Sequence, residues 1–268
     1  MSRATRFLSL LSAAPAIVLM ASCALPVVKP TTPPAPYVDA PEAVAALTDA
    51  RTAINDIRGT VTLKTYDDTQ APTSSVTGYM AFRYPDKVRF TYIGPLGIVL
   101  FEALINDKTM VLFLPQQLTA YKGTTDTAPD GPFSPQLMAM PFRRPVGPIF
   151  VIEHTGPEST LYSISEKAGE NELVEKIIFD RSTMRPLVRE GYEDGLLIYR
   201  IRYLTYEDVD GISIPVDITL EDLASGSSMG ITLRDFKVNT GITDEVFDTT
   251  VEPPYAVKPL DSLVLPDY

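Results

Sequence analysis

The chain has 268 residues, 45% hydrophobic and 21% charged, which excludes a disordered or collagen-like protein and leaves room for one large or two small domains. Its 34 Asp and Glu outweigh 23 Lys and Arg, giving a formal charge of −11, so no overall positive field draws it toward nucleic acid or an anionic membrane. With one Cys, one His and no Trp, an intrachain disulfide is impossible, a structural zinc site lacks ligands, and a His-centred triad has only His154 to draw on.

In chain order, Arg3 and Arg6 precede an apolar run from Phe7 to Ala21 that is interrupted by Pro15. The run is shorter than the roughly 20 residues of a spanning helix and reads as an export signal. It ends in Leu19-Met20-Ala21-Ser22-Cys23, which resembles a bacterial lipoprotein signal: small side chains precede the cut, and the only cysteine falls where the acylated thiol belongs. An ordinary secretory signal followed by an incidental Cys is the alternative. Cleavage ahead of Cys23 would remove two arginines and leave the mature chain more acidic still, so anchoring would rest on acyl chains, each buried CH₂ contributing about 0.8 kcal/mol. Ala24, where a retained lipoprotein has Asp, directs such a protein to the outer membrane by the enterobacterial pattern.

From Ala24 to Pro41 six prolines favour extended polyproline II and cannot build a core. A spacer tether and a leader without a spacer role share this signature. Asp39 to Asp56 is a helix by the recurrence of Val44, Leu47 and Ile54, laid on a sheet. After Ile57 the period changes to two, with strands expected at 57–63, 76–82, 88–92, 99–105, 109–114 and 118–122 and turns at Tyr84-Pro85-Asp86, Gly94-Pro95 and Asn106-Asp107. Thr124 to Pro157 is rich in Pro and Gly and holds two short helix candidates, 135–140 and 146–153, as an excursion over one opening of the sheet. Strands resume at 161–166, 173–180, 187–193, 196–206, 212–221 and 229–238. The fold class is mainly β with a few helices: roughly a dozen consecutive antiparallel strands with helical segments on one side describe a strongly curved sheet or an unclosed barrel. Its concave face is either a cavity for an apolar ligand or a face packed shut as core.

Tyr84-Pro85-Asp86-Lys87-Val88-Arg89-Phe90 and Gly94-Pro95-Leu96-Gly97 before an apolar strand resemble motifs of the LolA/LolB periplasmic lipoprotein-sorting superfamily. Asp210-Gly211-Ile212-Ser213-Ile214-Pro215, and Phe236-Lys237-Val238-Asn239 leading to Glu245-Val246-Phe247 and Pro253, resemble its last hairpins and closing segment. With the lipobox, the closest resemblance is to the LolB-type outer-membrane lipoproteins. The resemblance implies one half-barrel domain over residues 42–252, preceded by a signal peptide at 1–22 and a lipidated Cys23 with a Pro-rich tether at 23–41, and followed by an extended tail at 253–268. It also implies a curved antiparallel sheet forming an incomplete, half-open β-barrel with a helical lid over a hydrophobic cavity that takes the acyl chains of lipoprotein or lipid cargo, a soluble periplasmic carrier as partner, a periplasm-facing location at the outer membrane, and a membrane-inserting loop, Pro95, Leu96 and Gly97. Gly94 departs from the family's Asn. Pro95 fixes φ and the glycines permit a tight turn, so Leu96 either dips into the acyl boundary or folds back as a core residue.

Met138, Met140 and Phe142 suit a flexible lid over an acyl chain, and equally ordinary core filling. Arg143 and Arg144 are placed either to meet lipid phosphates or simply to be solvated. Glu207, Asp208 and Asp210 suggest a calcium loop, but Ile212 and Ile214 stand where oxygen ligands belong, so a hairpin turn explains them better. His154 reads as the partner of a helix C-terminus. No nucleophile, base and orienting group can be named together, so neither an enzyme nor a cofactor or metal site is expected, and no nucleic-acid partner. The alternative to a lipid carrier is a non-transporting outer-membrane lipoprotein that docks an envelope partner.

Overall fold

The computed structural model describes residues 35–67, 71–125, 145, 147–167, 169–223 and 226–263. A helix, α1 (Ala40–Thr52), precedes fourteen strands: β1 (Asp56–Tyr66), β2 (Pro72–Arg83), β3 (Lys87–Ile93), β4 (Val99–Asn106), β5 (Thr109–Leu114), β6 (Thr119–Thr124), β7 (Ile149–Thr155), β8 (Glu158–Lys167), β9 (Glu170–Asp180), β10 (Pro186–Glu193), β11 (Leu196–Val209), β12 (Ile212–Asp222), β13 (Ser227–Val238) and β14 (Ala256–Pro259). They form one curved, unclosed sheet in the order β14-β6-β5-β4-β3-β2-β1-β13-β12-β11-β10-β9-β8-β7.

That order is two antiparallel meanders, β1–β6 and β7–β13, joined where β1 pairs with β13. Strands β6 and β7 stand far apart in that order; the excursion read between them, with its helix candidate at 135–140, lies almost wholly outside the described residues. Hairpins close on residues suited to positive φ: Asp194 and Gly195 lie at 49° and 75°, Asp210 and Gly211 at 51° and 80°, giving two-residue turns whose twist matches the strands. The Asp-x-Asp-Gly cluster is thus a turn, and Asp208 accepts two hydrogen bonds from Arg185, at 2.6 and 2.7 Å.

The helix is shorter than its pattern suggested. Asp39 caps it by accepting from the Glu42 N–H at 2.8 Å, and Ala43 and Leu47 face a buried cluster with Leu161, Ile177 and Phe179. It ends at Thr52 because Asp56 is committed elsewhere: its buried carboxylate accepts from the N–H groups of Thr240, Gly241 and Ile242 and the Thr240 hydroxyl. Asn239 completes this junction, accepting from Asn55 N–H and donating to the Ala53 carbonyl, both at 2.8 Å.

The stretch 146–153, expected to be helical, is mainly strand β7. Gly147 and Pro148 interrupt any helix, and the run Ile149-Phe150-Val151-Ile152 alternates, placing Phe150 and Ile152 against the α1 cluster. His154 consequently stands on an edge strand instead of at a helix end.

After β13 the chain straps the outer face of the first meander. Arg83 donates to the Ile242 carbonyl at 2.9 Å, Asp244 pairs with Arg83 and Lys87, and Phe247 is fully buried with the Arg83 guanidinium 5.5 Å from its ring centre. Lys122 donates to the Thr249 carbonyl, Tyr255 meets Phe113 edge-on, and β14 pairs parallel to β6. The segment after Pro253, read as a tail, thus supplies a strand and the buried Leu260.

Candidate functional site

The β3–β4 connection is a short 3₁₀ turn, Pro95–Gly97. The Gly94 N–H donates to the Ile98 carbonyl at 2.8 Å, and the Gly97 N–H to the Gly94 carbonyl at 3.2 Å. This closes the loop tightly and turns Leu96 outward, 97% exposed, with Ile98 46% exposed beside it. Leu96 does not fold back into the core. Its φ of 67° lies in the left-handed region, which costs a leucine about 1–2 kcal/mol, so the loop holds an apolar side chain in water on a strained backbone. The departure at Gly94 has a local reason: a Cβ there would lie 2.6 Å from the Leu100 side chain.

Behind the loop, the inward faces of β1–β5 and β12–β13 form one apolar surface containing Ile57, Val61, Leu63, Phe82, Phe90 and Leu233. Register makes it continuous, with Phe90 opposite Met80 and Ala103, and Val61 opposite Leu233. Against this face a pocket between Val61, Leu63, Met80, Val216, Ile218 and Leu233 measures about 20 Å³. That is close to the space one water needs, and Ile57, Val61 and Phe90 of this face are fully buried.

The second meander is different. Glu175 and Arg189 both point inward from β9 and β10 and form a buried ion pair at 2.5 Å, with Glu175 0% exposed. Burial opposes the charge of Arg189, and the adjacent Glu175 carboxylate more than offsets it. Burial likewise pushes the Tyr199 phenol up to about 12. Tyr199 fits against Gly191, where a Cβ would lie 2.0 Å from its ring. On β7, His154 Nδ1 lies 2.6 Å from the Ser159 hydroxyl and its ring meets Tyr37 edge-on. The sequence reading missed the Glu175–Arg189 pair, although both residues interrupt the apolar phase of adjacent strands.

Of the residues singled out from the sequence, Pro95, Leu96 and Gly97 are brought together at one loop tip. Cys23, Met138, Met140, Phe142, Arg143 and Arg144 lie outside the described residues. Among the described residues no group of three or more His, Cys, Asp or Glu could hold a metal ion, and no helix is long and apolar enough to cross a membrane.

No family model matches the chain, and no curated protein matches it by sequence. Solved structures do. A LolA superfamily protein from Nitrosomonas europaea aligns with a TM-score of 0.57 at 17% identity, covering 79% of this chain and 98% of that one. A candidate outer membrane lipoprotein-sorting protein domain from Vibrio parahaemolyticus aligns at 0.55 and 15%, covering 76% and 95%. A DUF1329 family protein from Desulfovibrio piger aligns at 0.54 and 11%, covering 80% and 98%. At these identities the likeness is one of fold, and the fold of this chain is that of the LolA superfamily.

Proposed function

We propose that this protein is an outer-membrane-anchored lipoprotein of LolB type, which takes acyl chains of a lipoprotein or lipid on its concave apolar face and passes them to the membrane without breaking a bond. The observation that carries this reading is the outward, strained Leu96: a chain gains nothing in water from an apolar tip held at positive φ, whereas a bilayer boundary would accept it. The apolar inward face of β1–β5 supports it, as does the lipoprotein-like signal ending at Cys23. Because the residues of that face are buried, cargo enters by displacing what covers them, and the binding free energy is reduced by that opening. A soluble periplasmic carrier would hand over the cargo, and no catalysis is involved.

The test is lipid extraction and native mass spectrometry of the purified protein. Lipid retained in stoichiometric amount is the expected result; protein that stays empty in the presence of acylated cargo would overturn the carrier reading. The burial of that face favours one other reading, an envelope lipoprotein that docks a protein partner and carries nothing, and an empty protein that retains a partner would establish it.

A further inference from the structure

The outer face of the sheet carries two transverse rows of charge with opposite logic. Across β9 to β12, Lys176, Glu190, Arg200 and Glu221 stand directly opposite one another. Their signs alternate and each neighbouring pair is an ion pair, at 3.2, 2.7 and 3.4 Å. Across β13, β1, β2 and β3 the row reads Lys237, Arg58, Ala81, Arg89. Arg58 and Lys237 are exposed, face each other across the strand pair, and form no ion pair with a described residue. Arg89 is held by Glu102 and donates to the Val246 carbonyl at 3.3 Å. Like charges directly opposite on a sheet destabilise it, and here they sit in a chain that is acidic overall.

These cations line a groove of about 590 Å³. The small residue Ala81 leaves its floor low between Arg58 and Arg89, Tyr79 is 59% exposed along it, and Asp235 is the carboxylate that shares the lining. We propose that this groove binds a phosphate group, carried by a lipid headgroup or by a free phosphoester. Arg58 offers the planar fork that matches phosphate oxygens, Lys237 a second point charge, and the volume admits the glycerol or sugar attached to the phosphate. The site acts at short range, since the −11 charge of the whole chain repels anions at a distance, and its affinity falls with salt. It is separate from the concave face and does not depend on what that face holds.

The test uses the purified full chain with two probes: glycerol 3-phosphate in solution, and vesicles of phosphatidylcholine with or without phosphatidylglycerol. Arg58→Gln and Lys237→Gln should each weaken binding about tenfold or more. Each should also raise the melting temperature without ligand, because the facing like charges are gone. Lys167→Gln, the same charge change at a distant exposed lysine, should leave the affinity unaltered. Binding of glycerol phosphate assigns the site to soluble phosphoesters, and preference for phosphatidylglycerol vesicles alone assigns it to headgroups; either supports the site. Neither probe binding through the groove, an equal loss in Lys167→Gln, or a lowered melting temperature for Arg58→Gln and Lys237→Gln would overturn it.

Discussion

The meander β1–β6 turns an unbroken apolar face inward, whereas β7–β13 places Glu175 and Arg189 in the same layer of the same sheet. An apolar face is held by area and has no preferred partner, so what covers it can leave at a cost proportional to the area exposed. An ion pair is directional and fixes the register of β9 against β10. The difference teaches how one continuous sheet can combine a half held by apolar area with a half pinned by a directional pair. The exposed Leu96 belongs to the first half.

The largest effect that tests this contrast is at the buried pair. Glu175→Ala leaves Arg189 charged, buried and without its carboxylate, and urea unfolding should show a loss of about 3–5 kcal/mol. The double variant Glu175→Met with Arg189→Met should be far milder, because two apolar side chains remove both the pair and its desolvation cost. A double variant as damaged as the single one would show that the pair is more than an isolated substitution for core, and the contrast between the halves would be deeper than packing. Measurement of amide exchange in β9 and β10 in the double variant would show whether the register is kept.

A smaller effect is expected where the first meander has its own polar anchor. Burial pushes the Asp56 carboxyl up, and the hydrogen bonds from Thr240, Gly241 and Ile242 outweigh it, holding the group below the ordinary carboxylate value. A depressed folded-state value stabilises the protein above the unfolded value of 3.8, and that contribution is lost as pH falls through the folded one. Asp56→Asn should therefore cost about 2 kcal/mol at neutral pH, and the gap between variant and parent should close in acid. A gap that is constant from neutral pH to acid would mean that the ionised carboxylate is not what joins β1 to the strap.

Much of the fold was legible because alternation is a local property: Ile57, Val61 and Leu63 announce β1 without any knowledge of their neighbours. The limits were also physical. The segment 146–153 looked helical because four apolar residues in a row fit either period, and only the presence of α1 against Phe150 and Ile152 decides between them. Strand β14 has four residues, all exposed, and no pattern of its own; it is a strand because β6 offers an edge. At the loop, sequence placed Pro95, Leu96 and Gly97 together but left two orientations for Leu96. The choice is made by the hydrogen bonds that Gly94 and Gly97 donate and accept around it, which no residue type encodes alone.

The smallest effect in stability is expected at that loop, and its sign matters more than its size. Leu96→Gly removes an exposed side chain and relieves a positive φ, while adding freedom to the unfolded chain; the balance leaves stability unchanged or raised by up to about 1 kcal/mol. A core leucine would behave oppositely, losing about 2–5 kcal/mol on truncation. Leu96→Glu is equally exposed and should fold as the parent does, yet place a charge where the acyl boundary would be. If delivery of acylated cargo to liposomes falls in both variants while their melting temperatures hold, Leu96 works at the membrane and the apolar half of the sheet is the half that meets it. Unaltered delivery by Leu96→Glu would refute the inserting loop, and the strain at residue 96 would then need a partner other than lipid.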